Sequence, residues 1–206
     1  MFWEFIKFAR KDNTKMAPFL THARIKWYDI TDSTNKELRR HIDALDNLSF
    51  VAAKSQVAGR GQGDHVWCSE AGANLTFSML LRFAPGELKA RDEQLINALV
   101  TPVMLDFLAS EGVEAWVKAP NDIWVKDKKI AGILVENILE GPYVLESIIG
   151  IGFNLNQTEW PADLPNPVSL TQLTGRTYSP EKVLQTLAGM FEARCTDRKS
   201  CPAQPR

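Results

Sequence analysis

Apolar residues stand at every second position from Leu75 through Phe77, Met79 and Leu81 to Phe83, so "NLTFSMLLRF" has the period of a strand with one face on a core. "FVAAKSQ" upstream reads as a second strand that runs into a glycine-rich loop. In "DSTNKELRRHIDAL" the spacing changes: Leu38, Ile42 and Leu45 recur at helical intervals, and Thr34 with Glu37 has the spacing of a capping box. A helix is therefore expected to begin near Ser33 or Thr34, which puts Ser33, Thr34 and Asn35 where hydroxyls and unpaired amides are available.

A longer helix is predicted from about Asp92 to Ser110, with Leu95, Leu99, Val103 and Phe107 on one side, a kink at Pro102 and a stop at Gly112. Short apolar runs follow, split by turn residues: "VEAWV", "DIWV", the turn "KDKK", "IAGILVENI", the turn "EGP" and "YVLESIIGIGFNL". These predict strands joined mostly by hairpins. Ser179 as a cap and Pro180 at the first helical position start a last helix carrying Val183, Leu184, Leu187 and Phe191. This order predicts an α+β fold with a mixed, largely antiparallel sheet flanked by helices. There is no internal repeat and no low-complexity linker, and the expected division is an N-terminal extension over 1–22, one domain over 23–195 and a disordered tail over 196–206.

Composition narrows the partners. A formal charge of -1 over 206 residues gives no general attraction to polyanions, so no nucleic acid is expected. Cys68, Cys195 and Cys201 lack C-x-x-C spacing, which implies neither a disulfide framework nor a zinc site and points to a cytoplasmic home. The opening "MFWEFIKFARKDNTKM" is interrupted by Glu4, Lys7 and Arg10, and no apolar run approaches the ~20 residues a bilayer requires, so no signal peptide and no membrane partner are expected.

The loop "GRGQGDHVW" matches neither common nucleotide motif. Asp64 stands where the third glycine of G-x-G-x-x-G belongs, a strand rather than a helix follows, and no G-x-x-x-x-G-K-[ST] occurs in the chain. What remains is a loop whose amides can approach an anion because Gly59, Gly61 and Gly63 lack Cβ atoms, with Arg60 as a planar donor, or else a glycine-rich surface turn. Lys118, Asn121 and Asp122 bracket Pro120 between two strands, and Lys129 opens a strand whose Ala131 and Gly132 leave room against the sheet. Taken alone, these residues fit a binding site and an exposed hairpin equally.

Together they resemble the biotin protein ligases. The residues that carry the resemblance are "DSTN" (32–35), "Q-x-A-G-R-G" (56–61), Trp67, "N-L-x-x-S" (74–78), "K-x-P-N-D" (118–122), "K-x-A-G-I-L-V-E" (129–136) and "G-I-G-x-N-x-N" (150–156), in family order. The resemblance implies a class II aminoacyl-tRNA synthetase-like catalytic domain that uses ATP and Mg2+ to activate biotin as biotinyl-5'-AMP. It then passes biotin to a lysine of a biotin carboxyl carrier protein or carboxylase carrier domain. Carried over by position, Ser33, Thr34, Asn35 and Gln56 bind biotin, together with Arg60, Gly61, Gln62, Lys129 and Gly132. ATP is assigned to Arg60, Gly61, Trp67, Lys118, Asn121, Lys129 and Asn154, and the catalytic roles to Lys129, Arg60 and Asp122. In this scheme Lys129 contacts the reacting carboxylate and α-phosphate, Asn154 reads the adenine edge, and Asp122 sits beside the attacking amine. The metal ligands are not assigned.

The resemblance has gaps. The family loop "GRGRxGRxW" is met here by Gln62, Asp64 and His65, so two cations are missing and a leakier adenylate is expected. Ala119 replaces the tryptophan of "KWPND". The 31 residues before "DSTN" are fewer than the roughly 50 a domain takes, so no DNA-binding domain is expected, nor the SH3-like C-terminal domain of relatives. His22, His41 and His65 form no ligand set, Trp160 is a candidate cover for the adenine, and Glu136 is read either as a Mg2+ contact or as a strand-face charge. Lipoate ligation and a degenerate biotin-binding module are the alternatives, and an exposed sheet edge would support a homodimer.

Overall fold

The computed structural model describes residues 24–162, 164 and 166–196. The expected extension over 1–22 and the tail, apart from Thr196, lie outside them. The chain runs β1 (Ile25–Thr31), α1 (Thr34–Arg40), β2 (Phe50–Gln56), β3 (Leu75–Arg82), β4 (Leu88–Lys89), α2 (Gln94–Ser110), β5 (Trp116–Lys118), β6 (Asp122–Val125), β7 (Lys128–Glu140), β8 (Tyr143–Phe153), α3 (Leu170–Thr174) and α4 (Pro180–Thr196). One mixed sheet has the order β1-β2-β3-β8-β7-β6-β5, with the short β4 on β8. Its single parallel strand pair among the described residues, β1 with β2, is joined by a crossover through α1, because parallel neighbours cannot be linked by a tight turn. All other pairs are antiparallel, and β7 with β8 forms a long hairpin around Gly141 (φ 57°).

The two faces of the sheet are covered unequally. On one, Phe50, Phe77, Ile149, Ile151 and Phe153 meet α2 and α4 in the main core, through Ile96, Val100, Met104, Leu184, Leu187 and Phe191. Aromatic edges tie these layers together: Phe107 meets Phe153 in a T-shaped contact at 5.8 Å, and Phe50 lies 6.3 Å from both Phe77 and Phe191. On the other face a smaller cluster, Leu38 with Val51, Leu80 and Ile148, seats α1. With helices on both sides, β3 is buried from Leu75 to Leu81, so the alternation seen in its sequence separates two covered faces rather than core from solvent.

Several sequence expectations require correction. The N-cap of α1 is Ser33, not Thr34, and its side chain makes no capping bond. Glu37 turns instead to Arg40 and His41. The helix ends at Arg40, and Ile42 lies in a 3-10 turn, Ile42–Ala44. A capping box does occur, at Ser169 and Gln172 of α3, a short helix that the periodicity of the sequence did not reveal. The edge strand β1 was also not read from the sequence. Pro102 sits inside an otherwise continuous α2, and Gly112 takes the left-handed conformation (φ 80°) just after it.

Candidate active site

The cleft opens on the α1 face, over β3, β8 and β7. Alternation along these strands sends Phe77, Ile149, Ile151 and Ile133 into the main core and turns Ser78, Gly150, Gly152 and Gly132 the other way. Gly132 is the register partner of Gly152, and Gly150 that of Leu134. The three glycines leave a bare floor, and the resulting cleft has a volume of about 240 Å3.

One wall is the start of α1, where Ser33, Thr34 and Asn35 are all buried. The Thr34 amide donates to Gln56 Oε1 (2.7 Å) and the Ser33 amide to Asp32 Oδ1 (2.8 Å). Asp32 also receives both terminal nitrogens of Arg40, at 2.9 and 2.6 Å, and this hydrogen-bonded guanidinium holds its carboxyl down to about 2. For Glu37, burial opposes ionisation, but the Arg40 hydrogen bond, helped by His41, outweighs it and leaves the carboxyl below its usual range. Deeper in, the fully buried Ser78 hydroxyl lies 2.8 Å from Thr34 Oγ1 and 2.6 Å from Asn35 Oδ1. Asn35 lies across Gly150, where any Cβ would overlap its amide.

The glycine loop folds over this floor as a small hairpin. Arg60 bridges Val66, the Gly61 amide donates to the His65 carbonyl (2.7 Å), and the Trp67 amide donates to the Gly59 carbonyl (3.2 Å). Only Gly63, at the tip, uses the left-handed conformation (φ 58°). Gly59 and Gly61 serve close approach instead, since added Cβ atoms would meet Trp67 and His65. Trp67 anchors the hairpin by laying its indole against Gly152 and Gly132, and its buried Nε1 has no hydrogen-bond partner among the described residues.

The far wall is the β6–β7 hairpin, entered through a cis Ala119–Pro120 bond. Buried Asn121 donates its side-chain amide to the Ile133 carbonyl. Lys129 Nζ lies 2.8 Å from Asp122 Oδ1 and 5.9 Å from the centroid of the Trp67 ring. Arg60 Nη1 reaches Glu136 Oε1 at 2.8 Å, and the other oxygen of Glu136 accepts from Asn35 Nδ2 at 2.8 Å. Both cations facing the cleft are thus partnered by carboxylates.

Ser33, Thr34, Asn35, Gln56, Arg60, Gly61, Gln62, Trp67, Asn121, Asp122, Lys129 and Gly132 all line this one cleft. Two residues carried over from the resemblance do not. Lys118 is exposed and stands 3.8 Å over the ring of Trp124, and Asn154 is buried, donating to the carbonyls of Lys129 (3.4 Å) and Val168 (3.1 Å). Trp160 is also outside the lining, donating from Nε1 to Gln172. The sequence assigned no site role to His65, Leu134, Gly150 and Gly152, which do line it. The repeat "GIG" was the available signal, because glycines two apart in a strand bare one face. Among the described residues no cluster of three or more His, Cys, Asp or Glu gathers to hold a metal, and no helix is long and apolar enough to cross a membrane.

The fold and cleft define a class: an α+β domain whose bared sheet face, hydroxyls and cations suit an anionic small molecule. A family model described as the biotin/lipoate A/B protein ligase family matches residues 27–154, and the chain belongs to that family. It is 34% identical over 166 residues to a biotin--[acetyl-CoA-carboxylase] ligase of Paracoccus denitrificans, covering 78% of this chain and 68% of that protein. It is also 34% identical over 177 residues to the bifunctional ligase/repressor BirA of Bacillus spizizenii, covering 83% of this chain and 53% of that one. The chain therefore spans about two thirds of the first relative and about half of the second. Among solved structures, the biotin protein ligase of Aquifex aeolicus in complex with biotin and ATP superposes with a TM-score of 0.68 at 26% identity, covering 83% of this chain and 69% of that one. The Leishmania major biotin protein ligase shares the fold at the same TM-score and 21% identity.

Proposed function

We propose that this chain is an ATP-dependent biotin protein ligase. The observation that carries the reading is the convergence of the α1 wall, the glycine loop and the Lys129–Asp122 pair on one glycine-floored cleft. The similar proteins of Paracoccus and Aquifex are named as biotin ligases, and the Aquifex structure holds biotin and ATP.

In the first half-reaction a biotin carboxylate oxygen attacks the α-phosphorus of ATP, forming biotinyl-5'-AMP and expelling pyrophosphate. Two anions must meet, so fixed positive charge is needed where they approach, and Lys129 and Arg60 supply it. Ser33, Thr34, Asn35 and Gln56 are assigned to the biotin head group, and the hairpin carrying Gly61, Gln62 and Trp67 covers the intermediate and excludes water. In the second half-reaction a neutral lysine amine of a carboxylase carrier domain attacks the acyl carbon and AMP leaves. Asp122 orients that amine and accepts its proton. Lys118 and Asn154, outside the cleft lining, are assigned to the nucleotide only through the resemblance. Mg2+ bound with the nucleotide would supply charge neutralisation at the phosphates, and the described residues gather no cluster of their own to hold it. The reading places the protein in the cytoplasm, where ATP and carboxylases meet, and leaves the sheet edges β1 and β5 as surfaces for a homodimer.

The test is biotin-dependent exchange of labelled pyrophosphate into ATP without acceptor, followed by transfer to a carrier domain. Exchange with biotin and not with lipoate is the expected result. Exchange with lipoate alone, or biotin binding without exchange, would overturn the reading.

A further inference from the structure

We infer that Glu136 is a positioning residue that aims Arg60, and through it the glycine loop, before any substrate arrives. The inference deepens the biotin ligase reading and rests on it for its kinetic arm. Glu136 follows Gly132 and Leu134 on the cleft face of β7, but its carboxylate stops short of the lining and is only partly exposed (19%). Its two oxygens have separate partners: Oε1 takes Arg60 Nη1 and Oε2 takes Asn35 Nδ2, each at 2.8 Å. Asn35 is itself held by the buried Ser78 hydroxyl at 2.6 Å. A hydrogen-bonded chain therefore runs from the centre of β3 through Ser78, Asn35 and Glu136 to Arg60, the only Lys or Arg of the hairpin between Gly59 and Trp67.

The guanidinium has five N–H donors in a fixed fork. Engaging one nitrogen on Glu136 orients the plane and leaves donors for an anion in the cleft. The hairpin is otherwise tied to the sheet through Trp67 at its root, so this ion pair is a second anchor that sets where the arginine points. With Arg60 on Oε1 and Asn35 on Oε2, each carboxylate oxygen of Glu136 already has a protein partner, which favours a positioning role over the alternative of a metal contact.

Glu136→Gln keeps an acceptor for Asn35 and removes the charge that holds Arg60. In biotin-dependent pyrophosphate exchange we expect kcat to fall about tenfold, with the KM values for biotin and ATP within about threefold, because misaiming affects the reacting geometry more than binding. Arg60→Ala with Glu136→Gln is expected to be no worse than Arg60→Ala alone, as for residues acting in one chain. Additive losses, a lowered KM for ATP at unchanged kcat, or an altered Mg2+ requirement would each overturn the inference. An arm independent of catalysis is trypsin cleavage after Arg60 in the unliganded protein, expected to quicken at least about threefold in Glu136→Gln at unchanged melting temperature. An unchanged cleavage rate overturns the inference even if the wild type proves inactive in exchange, an outcome that would count against the function alone.

Discussion

Lys129 Nζ lies 2.8 Å from Asp122 Oδ1 although the two residues are not register partners: Lys129 faces Trp124 and Asp122 faces Gly132, across a slip between Ile123 and Trp124. The missing side chain of Gly132 gives the contact room, because a Cβ there would stand 3.1 Å from both Cε and Nζ of Lys129. The pair joins the group proposed for the first half-reaction to the group proposed for the second. On the proposed mechanism, an anion in the cleft would draw Lys129 toward itself and free Asp122 for the incoming amine.

Asp122→Asn is therefore expected to separate the two half-reactions. It retains a side chain that can hydrogen-bond Lys129 but loses the proton acceptor. Pyrophosphate exchange should stay within about tenfold of wild type while transfer to the carrier falls at least about a hundredfold, the usual scale of general-base catalysis. Lys129→Ala should abolish both. Equal losses in Asp122→Asn for exchange and transfer would show that the carboxylate acts only by holding the lysine.

Gly152→Ala tests the seat of the loop. The new methyl would overlap the Trp67 indole, so the ring must leave the sheet or the strand must shift. A cost of about 1–3 kcal/mol is expected from overpacking, read by thermal denaturation, with a red-shifted tryptophan emission as Trp67 gains solvent. Gly175→Ala, a left-handed position with open space around it, serves as a control that strains the backbone without touching the cleft.

Gln62→Arg restores one of the two cations that the family loop carries. Gln62 lines the cleft from the exposed tip of the hairpin. Replacing a neutral hydrogen bond worth about 1 kcal/mol by a charge-assisted one of roughly 1.5–3 should slow loss of the adenylate severalfold. The measurement is the dissociation rate of biotinyl-5'-AMP in competition with unlabelled biotin, and an unchanged rate would remove Gln62 from the explanation of intermediate retention.

The Asp32–Arg40 pair predicts a pH dependence of stability. The folded carboxyl is lowered from 3.8 to about 2, chiefly by the Arg40 hydrogen bond, so its contribution is present above 3.8 and lost as pH falls through that interval. Asp32→Asn should lower the melting temperature at pH 7, and the gap from wild type should close between pH 3.8 and about 2. Because the same carboxylate receives the Ser33 amide, the variant should also raise the KM for biotin.

The cysteines report on α4. Burial pushes the Cys195 thiol up to about 12, whereas Cys68 is exposed. Cys68→Ser should remove one rapidly reacting equivalent in a thiol titration at pH 8, and Cys195→Ser none, since that thiol reacts only through unfolding. Rapid labelling of Cys195 would mean that α4 does not stay on the main core.

What the chain itself determined was local. The alternation in Leu75–Arg82, the start of α4 at Ser179 and Pro180, and the hairpins punctuated by "KDKK" and "EGP" all follow from side-chain periodicity and turn chemistry that act within a few residues. The motif order marked most of the cleft for the same reason: the glycines, Arg60 and Lys129 must occur in sequence wherever the backbone needs room or charge. What only the tertiary structure decided was partnership. Thr34 and Glu37 have the spacing of a capping box, yet Arg40 and His41 take the Glu37 carboxylate and Gln56, 22 residues away, takes the Thr34 amide. Strand β1 became legible only as the parallel partner of β2, and β3 acquired two covered faces only when α1 closed on the second. Asn154 and Lys118 stand off the cleft, where the buried amide has taken the carbonyls of Lys129 and Val168 and the exposed ammonium the face of Trp124. Those choices are made by packing between segments distant in the chain, where a side chain's best partner depends on which neighbours the fold delivers.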